Sequence, residues 1–204
     1  MKVVIIGSAY PLRGGLAAYN ERIARAFQED GDKVEIITFS LQYPNFLFPG
    51  KTQYSSDAAP NYLSIDVSIN SINPFNWWLV GQKIRKMQPD LVICKFWLPF
   101  MGPCFGTILR QVRKNKHTKI VSIIDNIIPH EKRFGDRMFA RYFVKAVDAF
   151  VVMSRSVGED MKLFVKNQTV IYIPHPIYDN YGPLIPKEVA CQKIDIPVEQ
   201  KYIT

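Results

Sequence analysis

The sequence has little cysteine and histidine, and it lacks the motifs of several common enzyme classes. Three cysteines, Cys94, Cys104 and Cys191, form no CxxC pair, which argues against a disulfide framework or a structural zinc site and fits a reducing compartment. The three histidines lie far apart and no carboxylate cluster has ligand spacing, so we predict no metal site. No serine occupies a GxSxG turn, so a nucleophilic triad is not predicted either.

Long apolar runs are also missing. Only Val3–Ile6 is continuously apolar near the N-terminus, which is too short for the core of a signal peptide. The longest apolar stretch, residues 96–109, is interrupted by Pro99, Gly102 and Pro103 and is too short to span a bilayer. We therefore expect a cytoplasmic protein.

The composition is that of an ordinary globular protein with an excess of positive charge. The 204 residues are 48% hydrophobic and 22% charged, which fits one large domain. The formal net charge of +8 favours anionic partners such as nucleic acid, acidic phospholipid or phosphorylated small molecules. A solvated basic surface with no specific partner explains the same charge, so both interpretations remain open.

Strand-like and helix-like segments alternate along the chain, which is typical of βαβ units. We predict a Rossmann-like, doubly wound α/β domain with a mostly parallel sheet over residues 1–177. The predicted strands are 2–7, 33–39, 61–65, 90–95, 119–124, 148–153 and 168–173. Residues 178–204 are rich in proline and polar side chains, and we interpret them as a linker that ends, at 201–204, in the first strand of a further domain.

The loop after the first predicted strand contains Arg13, Gly14 and Gly15 directly before a helix. Two glycines at a helix start allow close approach of a ligand, and the free N–H groups favour an anion. Arg13 could pair with a phosphate or carboxylate. The spacing fits neither GxGxxG nor a P-loop, and no acidic residue closes the second strand, which disfavours a nicotinamide-dependent oxidoreductase. A plain glycine-rich turn is the alternative.

Polar and ionisable residues also follow three later strands. Asp125, Asn126, His130 and Glu131 come after the fifth, where Asp125 or His130 could accept a proton from a substrate hydroxyl. A helix cap with a structural histidine would explain the same residues. Ser154 follows the sixth strand and could simply cap a helix, and His175 lies in a Pro-His-Pro turn after the last strand that could merely join two domains.

One predicted helix carries a basic stripe. Arg133, Arg137, Arg141 and Lys145 recur every four residues, flanked by Phe134, Met138, Phe139, Tyr142 and Phe143. Such a stripe beside aromatic residues suits a helix lying on an anionic membrane surface. The alternative places the aromatic residues in the core and the basic ones in water. Nucleic-acid binding is not expected, because no recognition motif accompanies the charge.

Taken together, four short motifs resemble the N-terminal domain of a retaining GT-B glycosyltransferase of family 4. They are Gly14-Gly15, the segment from Asn126 to Glu131, Ser154, and the turn from Ile173 to Pro176. The resemblance covers essentially the whole chain. It implies two Rossmann-like domains, the N-terminal one binding the acceptor and the C-terminal one binding a nucleotide-sugar donor.

The resemblance further implies metal-free, cofactor-free transfer of a sugar to a glycan or lipid-linked acceptor in polysaccharide or cell-envelope synthesis. It places Asp125 and His130 in catalysis and Arg13, Gly14, Gly15, Asn126, Glu131, Ser154 and His175 in substrate binding. Many relatives carry histidine where this chain has Asp125. The family's donor-binding residues belong to the second domain, so we expect the chain alone to be inactive. A non-catalytic ligand- or partner-binding domain is the alternative.

Overall fold

The computed structural model describes residues 1–44, 53–56, 58–129, 131, 133–176 and 184–200. The chain divides into two compact units, Met1–Pro174 and His175–Thr204. The predicted domain boundary at residue 177 and the predicted strand at 201–204 fall outside the described residues, and both stay predictions.

The first unit is a seven-stranded sheet among the described residues, with every neighbouring pair of strands parallel. The strands are β1 Lys2–Ile6, β2 Lys33–Leu41, β3 Ser64–Asn70, β4 Leu91–Phe96, β5 Lys119–Ile124, β6 Ala149–Val152 and β7 Thr169–Tyr172. Their order across the sheet is β3-β2-β1-β4-β5-β6-β7. This confirms the predicted Rossmann-like α/β fold. The order in which strands are added to the sheet reverses between β1 and β4. Open α/β sheets bind ligands at such a switch point, at the carboxyl ends of their strands.

Among the described residues a helix joins each consecutive pair of strands except β2 and β3. Local sequence explains where such a helix starts and ends. The Asn73 side chain accepts hydrogen bonds from the N–H groups of Phe75 and Asn76, and Pro74 occupies the first helical position, as predicted. The same helix ends at Gln88, which has a left-handed backbone conformation. The helices are α1 Gly15–Glu29, α2 Pro74–Met87, α3 Gly102–Arg113, α4 Asp136–Val144, α5 Arg155–Met161 and, in the second unit, α6 Lys187–Lys193; a 3-10 turn, Pro99–Met101, precedes α3.

The core lies on both faces of the sheet. In β1, Val4 and Ile6 belong to the cluster on the α2 and α3 side, whereas Val3 and Ile5 belong to the cluster with Tyr19 of α1. Because successive side chains of a strand point to opposite faces, a strand covered on both sides must be apolar throughout. This explains the unbroken apolar run at the start of the sequence.

The structure corrects several predicted boundaries. The strand predicted at 61–65 lies at Ser64–Asn70, because pairing with β2 fixes its register and local propensity does not. The helix with the basic stripe covers only Asp136–Val144, so Arg133 precedes it and Lys145 is its C-cap. Gly135 has φ +92°, a left-handed conformation, so the helix begins only after it. The segment predicted as a linker contains α6, and its role as a linker stays a prediction. No described helix has the length and apolarity needed to cross a bilayer.

Candidate functional site at the carboxyl edge of the sheet

Buried polar side chains brace the loop after β1. The Asn20 side-chain amide donates to the carbonyl of Ser8 at 2.8 Å, and the Ala9 N–H donates to the Thr38 hydroxyl at 2.9 Å. A Cβ on Gly7 would lie 2.5 Å from the Asn20 amide nitrogen, so only glycine leaves room for this brace. The loop is therefore held in one conformation before any ligand arrives, which lowers the entropy cost of binding.

The start of α1 is exposed and open, as an anion site requires. Gly14 has φ +105° and ψ 177°, a combination that is essentially restricted to glycine. A Cβ at this position would find no atom within 4 Å. Among the described residues no side chain caps the helix, and its first turn contains no acidic residue. Its leading N–H groups and positive dipole end are available to an anion. With Arg13 they line a depression of about 390 Å³.

Glu21 lines the same depression and was missed in the sequence analysis. Its carboxylate accepts a hydrogen bond from the Tyr10 N–H at 2.7 Å. Burial raises the pKa of Glu21, and the Tyr10 hydrogen bond offsets only part of that rise. The lining of this depression therefore contains both a cation, Arg13, and an acidic group, Glu21. Nothing in the sequence distinguishes Glu21 from an ordinary surface residue of α1.

A buried ion pair lies beside the switch point. Lys95 of β4 is only 2% exposed, and its ammonium donates to Asp125 Oδ1 at 2.7 Å. The same ammonium lies 3.7 Å from the centre of the Tyr19 ring. Burial lowers the pKa of Lys95, against the opposing pull of Asp125. Sequence reasoning missed Lys95, although one lysine within an otherwise apolar buried strand signals a charged partner.

Through these contacts Lys95 joins two of the predicted site segments. Tyr19 belongs to α1, which continues the Gly14 loop, and Asp125 directly follows β5. The Asp125 N–H donates to the Phe96 carbonyl at 2.9 Å, which fixes the start of the loop. About a quarter of the Asp125 side chain (24%) stays exposed. The structure thus brings Asp125 to the same edge as the α1 N-terminus, with a cation behind it.

The other predicted residues are placed as follows. Asn126 is half-buried beside Asp125, Glu131 is exposed, and His130 is outside the described residues. Ser154 stands at the N-cap position of α5, but its hydroxyl pairs with the Ser156 hydroxyl at 2.7 Å and makes no capping hydrogen bond. His175 is exposed in the second unit, with its Nδ1 2.7 Å from the Pro176 carbonyl oxygen. The functional roles assigned to all of these residues stay predictions.

A second cavity, of about 310 Å³, is lined in part by the residues that follow Asp125 and Asn126 in the chain. Its walls are mostly apolar, with Ile127, Ile128 and Phe164 among them. Three charged residues, Arg133, Asp136 and Arg137, also line it. Among the described side chains, no group of three or more His, Cys, Asp or Glu is placed to hold a metal ion.

Comparison with known proteins identifies a family and a fold. The model of Glycosyltransferase Family 4 matches residues 13–180, most of the chain. No curated protein matches significantly. An α-glucosyltransferase in complex with UDP and a 13-mer DNA containing a HMU base superposes with a TM-score of 0.59 at 12% identity, over 87% of this chain and 43% of that one. The UDP-GlcNAc 2-epimerase of Methanocaldococcus jannaschii superposes with a TM-score of 0.53 at 11% identity, over 84% of this chain and 45% of that one.

At these identities the likeness to solved structures shows the fold alone. The chain spans less than half the length of both matched structures. The two proteins also carry names of different enzyme classes, a transferase and an epimerase, so shared architecture does not decide the reaction.

Proposed function

The chain belongs to Glycosyltransferase Family 4, and from this premise we propose that it is the N-terminal, acceptor-side domain of a retaining glycosyltransferase. The enzyme would move a sugar from a nucleotide-sugar donor to a glycan or lipid-linked acceptor in polysaccharide or cell-envelope synthesis. Transfer would proceed in the cytoplasm without a metal ion or other cofactor.

The convergence of the Gly14 loop and Asp125 at one edge of the sheet is the observation that carries this proposal. An uncapped α1 N-terminus with Arg13 supports a site for the donor diphosphate, whose negative charge grows as the sugar leaves. Asp125, with Lys95 behind it, supports a site for an acceptor hydroxyl, which donates a hydrogen bond to a carboxylate. Lys95 itself would be a positioning residue, because its ammonium is buried.

Glu21 and the second cavity refine the proposal. The Glu21 carboxylate in the lining of the depression would repel phosphate and accept hydrogen bonds from sugar hydroxyls. The mostly apolar second cavity would suit the apolar part of a lipid-linked acceptor, with Arg133 and Arg137 available to its phosphate.

The test uses the native protein that contains this chain, supplied with tritiated UDP-glucose and membranes of its source cells. UDP-glucose is the first donor to try, because a structural neighbour was solved in complex with it. We expect labelled sugar in a glycan or lipid fraction. Asp125→Ala should lower turnover at least about tenfold, since it removes the carboxylate that receives the acceptor hydroxyl. Gly14→Ala should do the same by straining the loop.

Gly158→Ala is the matched control, because a Cβ there meets only Val152 Cγ2 at an ordinary 3.5 Å. Near wild-type turnover of Asp125→Ala would remove Asp125 from the site. Absence of transfer with every nucleotide sugar tried would overturn the transferase proposal and favour a non-catalytic binding domain.

A further inference from the structure

One exposed face combines apolar and cationic side chains in a regular pattern. We define the α4 face by the cations Arg133, Arg137, Arg141 and Lys145 and the apolar residues Phe134, Met138 and Tyr142, which line a shallow depression of about 750 Å³. Phe134 is fully exposed, Met138 is 62% exposed and Tyr142 is 38% exposed. Phe143 of the same segment is buried, so the core explains only that part of the aromatic pattern. Three large apolar side chains four residues apart are left facing water.

The four cations of the α4 face form no ion pair within the part of the chain that the structure describes, and Asp136 is the carboxylate that lines the neighbouring cavity with Arg133 and Arg137. By contrast, Arg113 pairs with Asp148 at 2.6 Å and Lys83 pairs with Asp66 at 2.9 Å. A cationic cluster of this kind attracts an anionic surface, and the attraction weakens with salt.

The Tyr142 edge of the α4 face is held rigidly. The Arg110 guanidinium stacks 3.7 Å from the Tyr142 ring centre and donates to the Tyr142 carbonyl at 2.6 Å. The Tyr142 hydroxyl lies 3.0 Å from the Thr107 hydroxyl. This contact adds a fifth cation, Arg110, at the border of the face. It also fixes the ring, so the Tyr142 side chain loses little entropy when the face binds.

We propose that the α4 face docks the protein on the anionic surface of a phospholipid bilayer. Phe134 and Met138 enter the boundary between headgroups and acyl chains, and the four cations contact lipid phosphates. The apolar side chains favour this partner over nucleic acid, whose backbone offers them nothing to bury against. Each cation near such a surface contributes about fivefold to binding.

The position of the α4 face also bears on the acceptor, and this consequence alone rests on the proposed function. Arg133 and Arg137 belong both to the α4 face and to the second cavity. A lipid-linked acceptor anchored in the docked bilayer would therefore present its phosphate beside the cavity. The docking surface would then supply the substrate as well as hold the enzyme.

The test is co-sedimentation of the 204-residue chain with vesicles of phosphatidylcholine alone or with about 30% phosphatidylglycerol, at low and high salt. We expect binding only to the anionic vesicles and weaker binding at high salt. Arg137→Glu with Arg141→Glu should lower the affinity at least about 25-fold, the product of two cations. Phe134→Ser with Met138→Ser should lower it severalfold without changing its salt dependence, because no charge is altered.

The chain offers matched controls for both pairs. Lys114→Glu with Lys119→Glu changes the net charge equally at exposed residues that do not line the α4 face. Phe75→Ser with Leu79→Ser removes exposed apolar side chains from α2 instead. Both control pairs should bind as wild type. Unchanged circular dichroism and urea midpoints would establish that every variant is folded.

Three results of the vesicle assay would overturn the proposal. They are wild-type chain that stays unbound, binding that survives the two Arg→Glu changes, and equal losses in the Lys114 and Lys119 control. A duplex oligonucleotide that binds where vesicles do not would assign the α4 face to nucleic acid and equally overturn it. No sugar donor is present in the assay, so its failure would leave the proposed transferase activity untouched.

Discussion

The Lys95–Asp125 pair predicts an asymmetric response to neutralising its two members. Lys95 is 2% exposed and Asp125 is 24% exposed. Asp125→Asn strands a buried ammonium, which typically costs about 3–5 kcal/mol. We expect the free energy of unfolding to fall by about 3 kcal/mol, the lower end of that range, because the asparagine oxygen can still accept the hydrogen bond. Lys95→Met leaves a carboxylate that water still reaches, so we expect only about 1–2 kcal/mol.

The double variant Lys95→Met/Asp125→Asn completes the cycle. It removes both charges, so neither member is left unpaired, and replacing a buried pair by neutral groups is often nearly neutral for stability. We expect its free energy of unfolding to lie within about 1 kcal/mol of that of the wild type. The coupling free energy would then be about 3 kcal/mol or more, well above the few tenths expected of independent sites.

Urea denaturation of the 204-residue chain measures all four free energies. With a slope of about 3 kcal/mol per molar urea, Asp125→Asn should lower the midpoint by about 1 M.

The pH dependence adds a second readout. Burial already lowers the pKa of Lys95, and loss of Asp125 lowers it further. In the Asp125→Asn variant the unfolded chain then binds more protons than the folded one as pH rises towards about 10, and this raises the stability of the variant. The difference in free energy of unfolding between Asp125→Asn and wild type should therefore shrink between about pH 7 and 10.

Two results would refute this reasoning. If Lys95→Met destabilised the chain more than Asp125→Asn, the burial of the ammonium would not control the energetics. If the two costs simply added in the double variant, the contact at 2.7 Å would carry no coupling.

Two further predictions concern Glu21 and the helical glycines. Burial raises the pKa of Glu21, so ionising this group destabilises the folded wild type as the pH rises above the pKa that Glu21 has in the unfolded chain. Glu21→Gln should therefore gain stability relative to wild type from about pH 4 to pH 7. A difference in urea midpoint that does not change over this range would contradict the prediction. A Cβ at Gly102 would lie 2.4 Å from the Phe139 carbonyl oxygen, so Gly102→Ala should cost about 2–3 kcal/mol. Gly158→Ala should gain up to about 1 kcal/mol from helix propensity. Thermal unfolding of both glycine variants measures these changes, and equal effects would disprove the packing argument.

The spacing of apolar residues along the sequence predicted most of the strands and helices, because this spacing directly reflects which side chains are buried. The apolar run at Val3–Ile6 predicts a strand covered on both faces, and the Asn73-Pro74 pair predicts the start of α2; both are confirmed. The misplaced strand β3 marks the limit, since its position depends on pairing with β2 and Glu35 opposes Ser64 rather than a residue nearer 61. Pairing partners far apart in sequence leave no local pattern.

The candidate site divides in the same way. Sequence alone determined the loops at the carboxyl edge, because strand ends and glycine-rich helix starts are local features; Gly14 and Asp125 both lie there. Only the tertiary structure decided that Lys95 and Tyr19 connect them, and that Phe134 and Met138 face water while Phe143 is buried. Those facts depend on which side chains the packed helices and strands bring together. Propensity and spacing describe one segment at a time, whereas pairing and exposure belong to the assembled fold.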